Sequence, residues 1–356
     1  MKRKPHADGT LAIDLGGSQM SICRLAESDT TEAGYELAFY GQWDLASVPP
    51  DHREESMKAV VDYSLKNKEY GGLAVSIPSR HVFIRVRSLP PIPEDQVLPI
   101  VRYEIQQQTP FDLKDINIGY QILEHKRDGG YMVLMMAVKK EAVEQHLAIL
   151  GDARSRVKIV MPSALAAFNW LSHNAQIGLT PTGVLKPMAE ALINIGAKTT
   201  EIVCFVDGQF IFARPINFGG DCFTAAIVDS FGCSWEEAEE LKCEYGHAHD
   251  NILNPVLRVL VNELNRSFAY LRGLPGNAVV KYAHLTGGTS CLPGLKDYLT
   301  GALDNVLEVF LPDPLAGLGL NDFSGAPLNS QQTPVVLGLA LACRQDVDVD
   351  INLMTD

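Results

Sequence analysis

Ile13-Asp14-Leu15-Gly16-Gly17-Ser18 and Ile193-Asn194-Ile195-Gly196-Ala197-Lys198 share one pattern, apolar–polar–apolar–glycine–small, about 180 residues apart. Each pattern lies between apolar runs, so each reads as a strand, a tight glycine turn and a return strand. Such a turn suits a polyphosphate, because glycine lets the backbone approach and the exposed N–H groups point at anionic oxygens. An acidic residue just before the turn can hold Mg²⁺ through water, since that ion keeps most of its hydration shell. Asp14 is thus the candidate Mg²⁺ residue. Gly16, Gly17, Ser18 and Gln19 are candidate phosphate contacts from one side, and Gly196, Ala197, Lys198 and Thr199 from the other. One glycine hairpin alone specifies little. A third element, "HLTGGTSCLPGL", adds weight: Gly287, Gly288 and Thr289 fall between a buried strand and a helix N-terminus, a place suited to a nucleotide's phosphate or sugar.

The elements that must hold these turns are α/β throughout. The chain has 356 residues, more than one core usually accommodates, so two lobes are expected. "HVFIRVRSLP", "PIPEDQVLPIVRYEIQQQTPF", "INIGYQILEHK", "GYMVLMMAVKK" and a helix at 140–151 make residues 79–153 a strand–helix–strand–strand–helix unit set into a larger pattern. "FVDGQFIF" is a hairpin signalled by Asp-Gly. "SWEEAEELK" opens with a capping box, Ser234 with Glu237. "PVVLGLALAC" reads as a buried helix too short to span a bilayer. The net charge of −13 argues against nucleic acid and anionic membrane surfaces. Seven cysteines without metal spacing read as reduced, mostly buried thiols; no secretory signal follows "MKRKPH", which reads as a short mobile tail. His247 and His249 in "YGHAHD" read as a polar loop.

In this order and at these separations, "DLGGS", "NIGAKTTEI" and "LTGGTS" resemble the phosphate-one, phosphate-two and adenosine motifs of the actin-like ATPase superfamily. "SIPSRHVFIRVRSLPPIP", "VRYEIQQQTPFDLKDINIGYQIL", "FVDGQFIFARPINFGGDCFT", "WEEAEELK" and "VVLGLALAC" narrow the resemblance to the PilM family of type IV pilus assembly, relatives of FtsA. The resemblance implies a duplicated actin-like (ribonuclease-H-like) two-lobed α/β fold with an FtsA/PilM-type insert subdomain. It places a first lobe at 10–78 and 154–188, the insert at 79–153, a second lobe at 189–344 and an acidic tail at 345–356. It implies ATP and Mg²⁺ as ligands, with Glu239 and Lys242 toward ribose and adenine. It also implies a cytoplasmic ring or adaptor, without membrane insertion of its own. The partner would be the N-terminal tail of a PilN-like inner-membrane protein, typically "INLLP"-like, held in the cleft between the first lobe and the insert.

Two positions depart from the family pattern. Asn194 stands where an Asp is usual, and Ser21 where many members have Lys. An amide oxygen can bind water or Mg²⁺ but carries no charge and cannot act as a base, so binding is expected to outlast hydrolysis, leaving at most a slow ATPase. A small-molecule kinase of the same superfold is the alternative; it needs a general base, and no acidic residue reads as placed for one. An FtsA-like filament protein is another, but "VDVDINLMTD" is too acidic and short for a membrane helix. That tail is expected to be a disordered acidic end. Its "DINLM" nevertheless resembles the partner peptide, and could occupy the partner cleft of its own or a neighbouring chain.

Overall fold

"TLAIDL" carries no charge until Asp14, and the strand it forms, β1 (Thr10–Leu15), is buried along its whole length at the centre of the first sheet. The first part of the chain continues with β2 (Gln19–Glu27), β3 (Tyr35–Asp44), α1 (Arg53–Leu65) and β4 (Gly72–Ile77). The computed structural model describes residues 9–66, 69–174, 188–246, 250–274, 277–320, 329–344 and 347–354. The "MKRKPH" stretch, His247 and His249 lie outside the described residues.

Next come β5 (Val82–Leu89), α2 (Val97–Gln108), β6 (Ile116–His125), β7 (Tyr131–Lys139) and α3 (Lys140–Leu147). The three strands form a sheet of order β5-β7-β6, antiparallel throughout. Val97, Val101 and Ile105 recur every four residues, so one face of α2 is apolar, and all three are fully buried against Val133, Met135 and Ala137 of β7. This is a core separate from the rest. The helix stops at Thr109, which is extended because the residue before Pro110 is pushed out of helical geometry.

The chain returns through β8 (Val157–Pro162) and α4 (Ser163–His173), then enters β9 (Met188–Ile195), β10 (Thr200–Val206) and β11 (Gln209–Ile216). Asp207 and Gly208, both at positive φ, make the two-residue turn that the Asp-Gly pair signals. There follow α5 (Gly220–Phe231), α6 (Trp235–Tyr245), α7 (Asp250–Arg272), β12 (Val279–Thr286), α8 (Leu295–Ala302), β13 (Glu308–Phe310), β14 (Gly319–Leu320) and α9 (Pro334–Arg344). The capping box on α6 is complete.

The duplication is visible in the topology. The first sheet runs β14-β3-β2-β1-β4-β8 and the second β11-β10-β9-β12-β13. In both, a three-stranded antiparallel meander is extended by two strands parallel to its first. The end of the range read as second lobe, 189–344, divides. β14 pairs with β3, and α9 packs on α4 and β1 within the first core. α9 and α4 cross so closely at Gly338 that a Cβ there would overlap the Ala166 carbonyl. Three of the seven cysteines are buried, while Cys243 and Cys291 are exposed, so "mostly buried" is corrected.

The disordered acidic end is also corrected. Val349, Ile351 and Leu353 are at most 2% exposed. The segment lies extended in the groove between β8 and α4 of the first lobe and β6 of the insert. β8 is the last strand of its sheet, and its open edge is what the segment covers. Leu353 N donates to the Val160 carbonyl at 2.8 Å, and Asn352 Oδ1 accepts from Val160 N at 2.9 Å. The missed signal was alternation: "VDVDINL" has an apolar residue at every second position, the period of a strand with one buried face.

Candidate functional site

The two glycine hairpins close in the same way. Gly16 N donates to the Gln19 carbonyl at 2.9 Å, and Gly196 N to the Thr199 carbonyl at 2.9 Å. Strand register matches as well: Asp14 faces Ser21 across the first hairpin, and Asn194 faces Glu201 across the second. The turns meet between the lobes, where a Cβ on Gly17 would sit 3.3 Å from the Ala197 Cβ. Together with the Gly287–Gly288 turn they line a cleft of about 310 Å³. Asp14, Gly16, Gly17, Ser18, Gln19, Asn194, Gly196, Ala197, Lys198, Thr199, Glu239, Lys242, Gly287, Gly288 and Thr289 all line it, so the structure brings every candidate to one place.

The β12 turn is held against the second hairpin. Gly287 has φ +88, and a Cβ there would lie 2.5 Å from Asn194 Oδ1, so only glycine fits. Thr289 Oγ1 donates to the Gly196 carbonyl at 3.2 Å. The start of α5 seals the other side: Gly220 N and Asp221 N donate to the Gly196 and Ala197 carbonyls at 2.9 and 2.8 Å. Glu239 and Lys242, one turn apart on α6, pair at 2.6 Å, and both bond Thr224 of α5. Gln19 is committed elsewhere: its amide donates to the Gln332 carbonyl at 3.1 Å, and Gln332 in turn bonds Gln42.

Asp14 is buried, and Ser76 Oγ donates to its Oδ1 at 2.6 Å. Burial pushes its carboxyl up to about 7; the Ser76 bond opposes this, and the charge of Glu201 adds to it. Glu201 is a second acidic residue of this cleft, one the sequence reading did not single out. It lines the cleft and accepts from Ser79 N (3.0 Å), Ser163 Oγ (2.5 Å) and Asn194 Nδ2 (3.2 Å). The charge absent at Asn194 is thus present on the facing strand. The signal lay in register: Glu201 is to Asn194 as Ser21 is to Asp14. Asp14, a carboxylate at a glycine-lined turn with the charge of Glu201 nearby, has the chemistry that suits a hydrated Mg²⁺. Among the described residues no cluster of three or more His, Cys, Asp and Glu side chains could hold a metal alone.

Arg53 of α1, 3% exposed, was also missed. Its Nη1 meets Asp221 of the second lobe at 2.7 Å and the Gly17 carbonyl at 3.4 Å, while its Nε and Nη2 bond the Val48 and Ala46 carbonyls. It ties the lobes together directly beside the paired hairpins. An arginine among "HREES" gives no sign of this in one dimension.

A family model described as type IV pilus assembly protein PilM matches residues 13–345. The chain belongs to the PilM family. A solved structure titled PilM-PilN type IV pilus biogenesis complex superposes with a TM-score of 0.77 at 21% identity, covering 95% of this chain and 99% of that one, and shows the common fold. The fold is therefore actin-like. Cell division protein FtsA of Bacillus subtilis (strain 168) is 29% identical over 179 residues, 39% of each chain. FtsA of Staphylococcus epidermidis is 30% identical over 77 residues, 22% of this chain and 16% of that protein. The aligned parts thus span less than two thirds of these curated relatives. Among the described residues no helix is long and apolar enough to cross a membrane.

Proposed function

We propose that this chain is an ATP-binding scaffold of type IV pilus or related secretion assembly, which works at the inner face of the cytoplasmic membrane through its partners. The observation that carries the reading is the pair of register-matched hairpins, Gly16–Gln19 and Gly196–Thr199, closing on one cleft under Gly287. Backbone N–H groups of both turns would hold phosphates, with Asp14 organising Mg²⁺ through water. Mg²⁺ would neutralise the phosphate charge and relieve the crowding of Asp14 by Glu201. Glu239 and Lys242 on α6 line the same cleft and would face the ribose and base.

Hydrolysis is slow or absent in this reading. Asn194 cannot take a proton, and Glu201 already accepts three hydrogen bonds, which hold it as an interlobe brace. The partner is a PilN-like cytoplasmic tail, held in the groove between the first lobe and the insert. That part of the reading is supported by the family and by the groove's capacity for an extended peptide. A ring or other homo-oligomer would present several such grooves together.

Calorimetric titration with ATP, with and without Mg²⁺, tests the nucleotide site. The expected result is Mg²⁺-dependent binding that Gly17→Val abolishes while the fold persists. Failure of the wild-type chain to bind any nucleotide would overturn it.

A further inference from the structure

The groove between the first lobe and the insert is already filled by the chain itself. Its polar groups read the main chain of the visiting segment more than its side chains. Asn169 accepts from Val349 N at 3.0 Å and donates to the Val349 carbonyl at 2.8 Å. Asn117 Nδ2 donates to the Leu353 carbonyl at 2.8 Å, and Gln121 reaches the Asp348 carbonyl at 2.7 Å and Asp350 N at 2.8 Å. Val160 adds a strand-like bond to Leu353 N. Side-chain selection comes from burial of Val349, Ile351 and Leu353, from Ser172 Oγ donating to Asp348 Oδ2 at 2.7 Å, and from Asn352, whose amide bonds both Val160 N and the Lys158 carbonyl. At Gly119 a Cβ would overlap Ile351, so the absent side chain is itself part of the pocket.

A site that reads backbone plus apolar–Asn–Leu accepts any extended segment with that pattern. The resident segment lies only a few residues after α9 in sequence, and its contacts run along this one groove, to β6, β8 and α4. We propose that residues 348–354 are a self-supplied ligand, seated in a peptide-binding groove and displaced by an external peptide of the same apolar–Asn–Leu chemistry. The short tether gives the resident segment a high effective concentration, so an outside peptide competes at a disadvantage of about ten- to a hundredfold. Only the identity of the outside peptide rests on the function proposed above; the self-occupied groove stands on the contacts themselves.

The test uses three proteins: the full chain, a chain ending at Val347, and the full chain carrying Ile351→Asp with Leu353→Asp, which releases the segment should truncation harm folding. The probes are fluorescent synthetic peptides, one of residues 347–356 and one ending in Ile-Asn-Leu-Leu-Pro. Both released forms should bind the 347–356 peptide saturably and at least tenfold more tightly than the full chain. Gly119→Val in a released form should abolish that binding. Equal affinity of the full and released chains, or no binding by a released chain that melts cooperatively, overturns the proposal. If the 347–356 peptide behaves as expected but the Leu-Leu-Pro peptide neither binds nor competes, self-occupancy stands and the PilN-like partner falls. If the Leu-Leu-Pro peptide binds all three equally, the partner stands and self-occupancy falls.

Discussion

Asn194 and Glu201 face each other across the second glycine hairpin in the register that Asp14 and Ser21 occupy in the first, and Asn194 donates to Glu201 at 3.2 Å. The copy with an amide on its first strand carries a carboxylate on the facing strand. Asn194→Asp therefore replaces the donor to a buried acceptor with a second carboxylate. In metal-free protein this should cost about 1–3 kcal/mol. Mg²⁺ with ATP should recover most of that, and turnover should rise above the wild type. Thermal melts with and without Mg²⁺-ATP, and phosphate release, check both halves.

Asp14 has its carboxyl raised to about 7, chiefly by burial, against 3.8 for the free side chain. A raised carboxylate keeps its proton in the folded state when the unfolded chain has already lost it, so the folded state binds more protons between about pH 4 and 7. Stability from this group is full below about 4, falls as pH rises to about 7, and is flat above. Asp14→Asn removes that slope, so the difference in melting temperature between variant and wild type should change across this window. Mg²⁺ needs the ionised form, so wild-type Mg²⁺-ATP affinity should rise over the same range.

Arg53→Ala should cost about 2–3 kcal/mol, because it strands Asp221 and several carbonyls that the guanidinium serves. Since Arg53 also bonds the Gly17 carbonyl, ATP affinity should fall with stability. Asp221→Asn should be milder, since an amide can still accept from Arg53. Denaturant melts and titration calorimetry separate the two effects.

Gly338→Ala should destabilise by about 2–3 kcal/mol, because the obstacle is the backbone carbonyl of Ala166 and not a side chain that can turn aside. The substitution is otherwise favourable for a helix. A rise in melting temperature would show that α4 and α9 can separate without penalty.

Much of this protein was legible in one dimension because its signals are local. Strand period, glycine turns, the Asp-Gly hairpin and the α6 capping box depend on neighbours within a few residues, and each element forms where its pattern stands. The repetition of the hairpin was equally readable, since a duplicated element keeps its spacing. Glu201 was not, because strand register decides which residue faces Asn194 and polarity alone does not. Arg53 was hidden because its partners lie on another lobe. β14 and α9 follow the second lobe in sequence yet join the first, β14 by pairing with β3 and α9 by packing on the apolar surface of β1 and α4. The C-terminal segment shows the division most plainly. Its alternation declares a strand, but only the tertiary structure supplies the open edge of β8 and the amides of Asn117, Gln121 and Asn169 that give it a place.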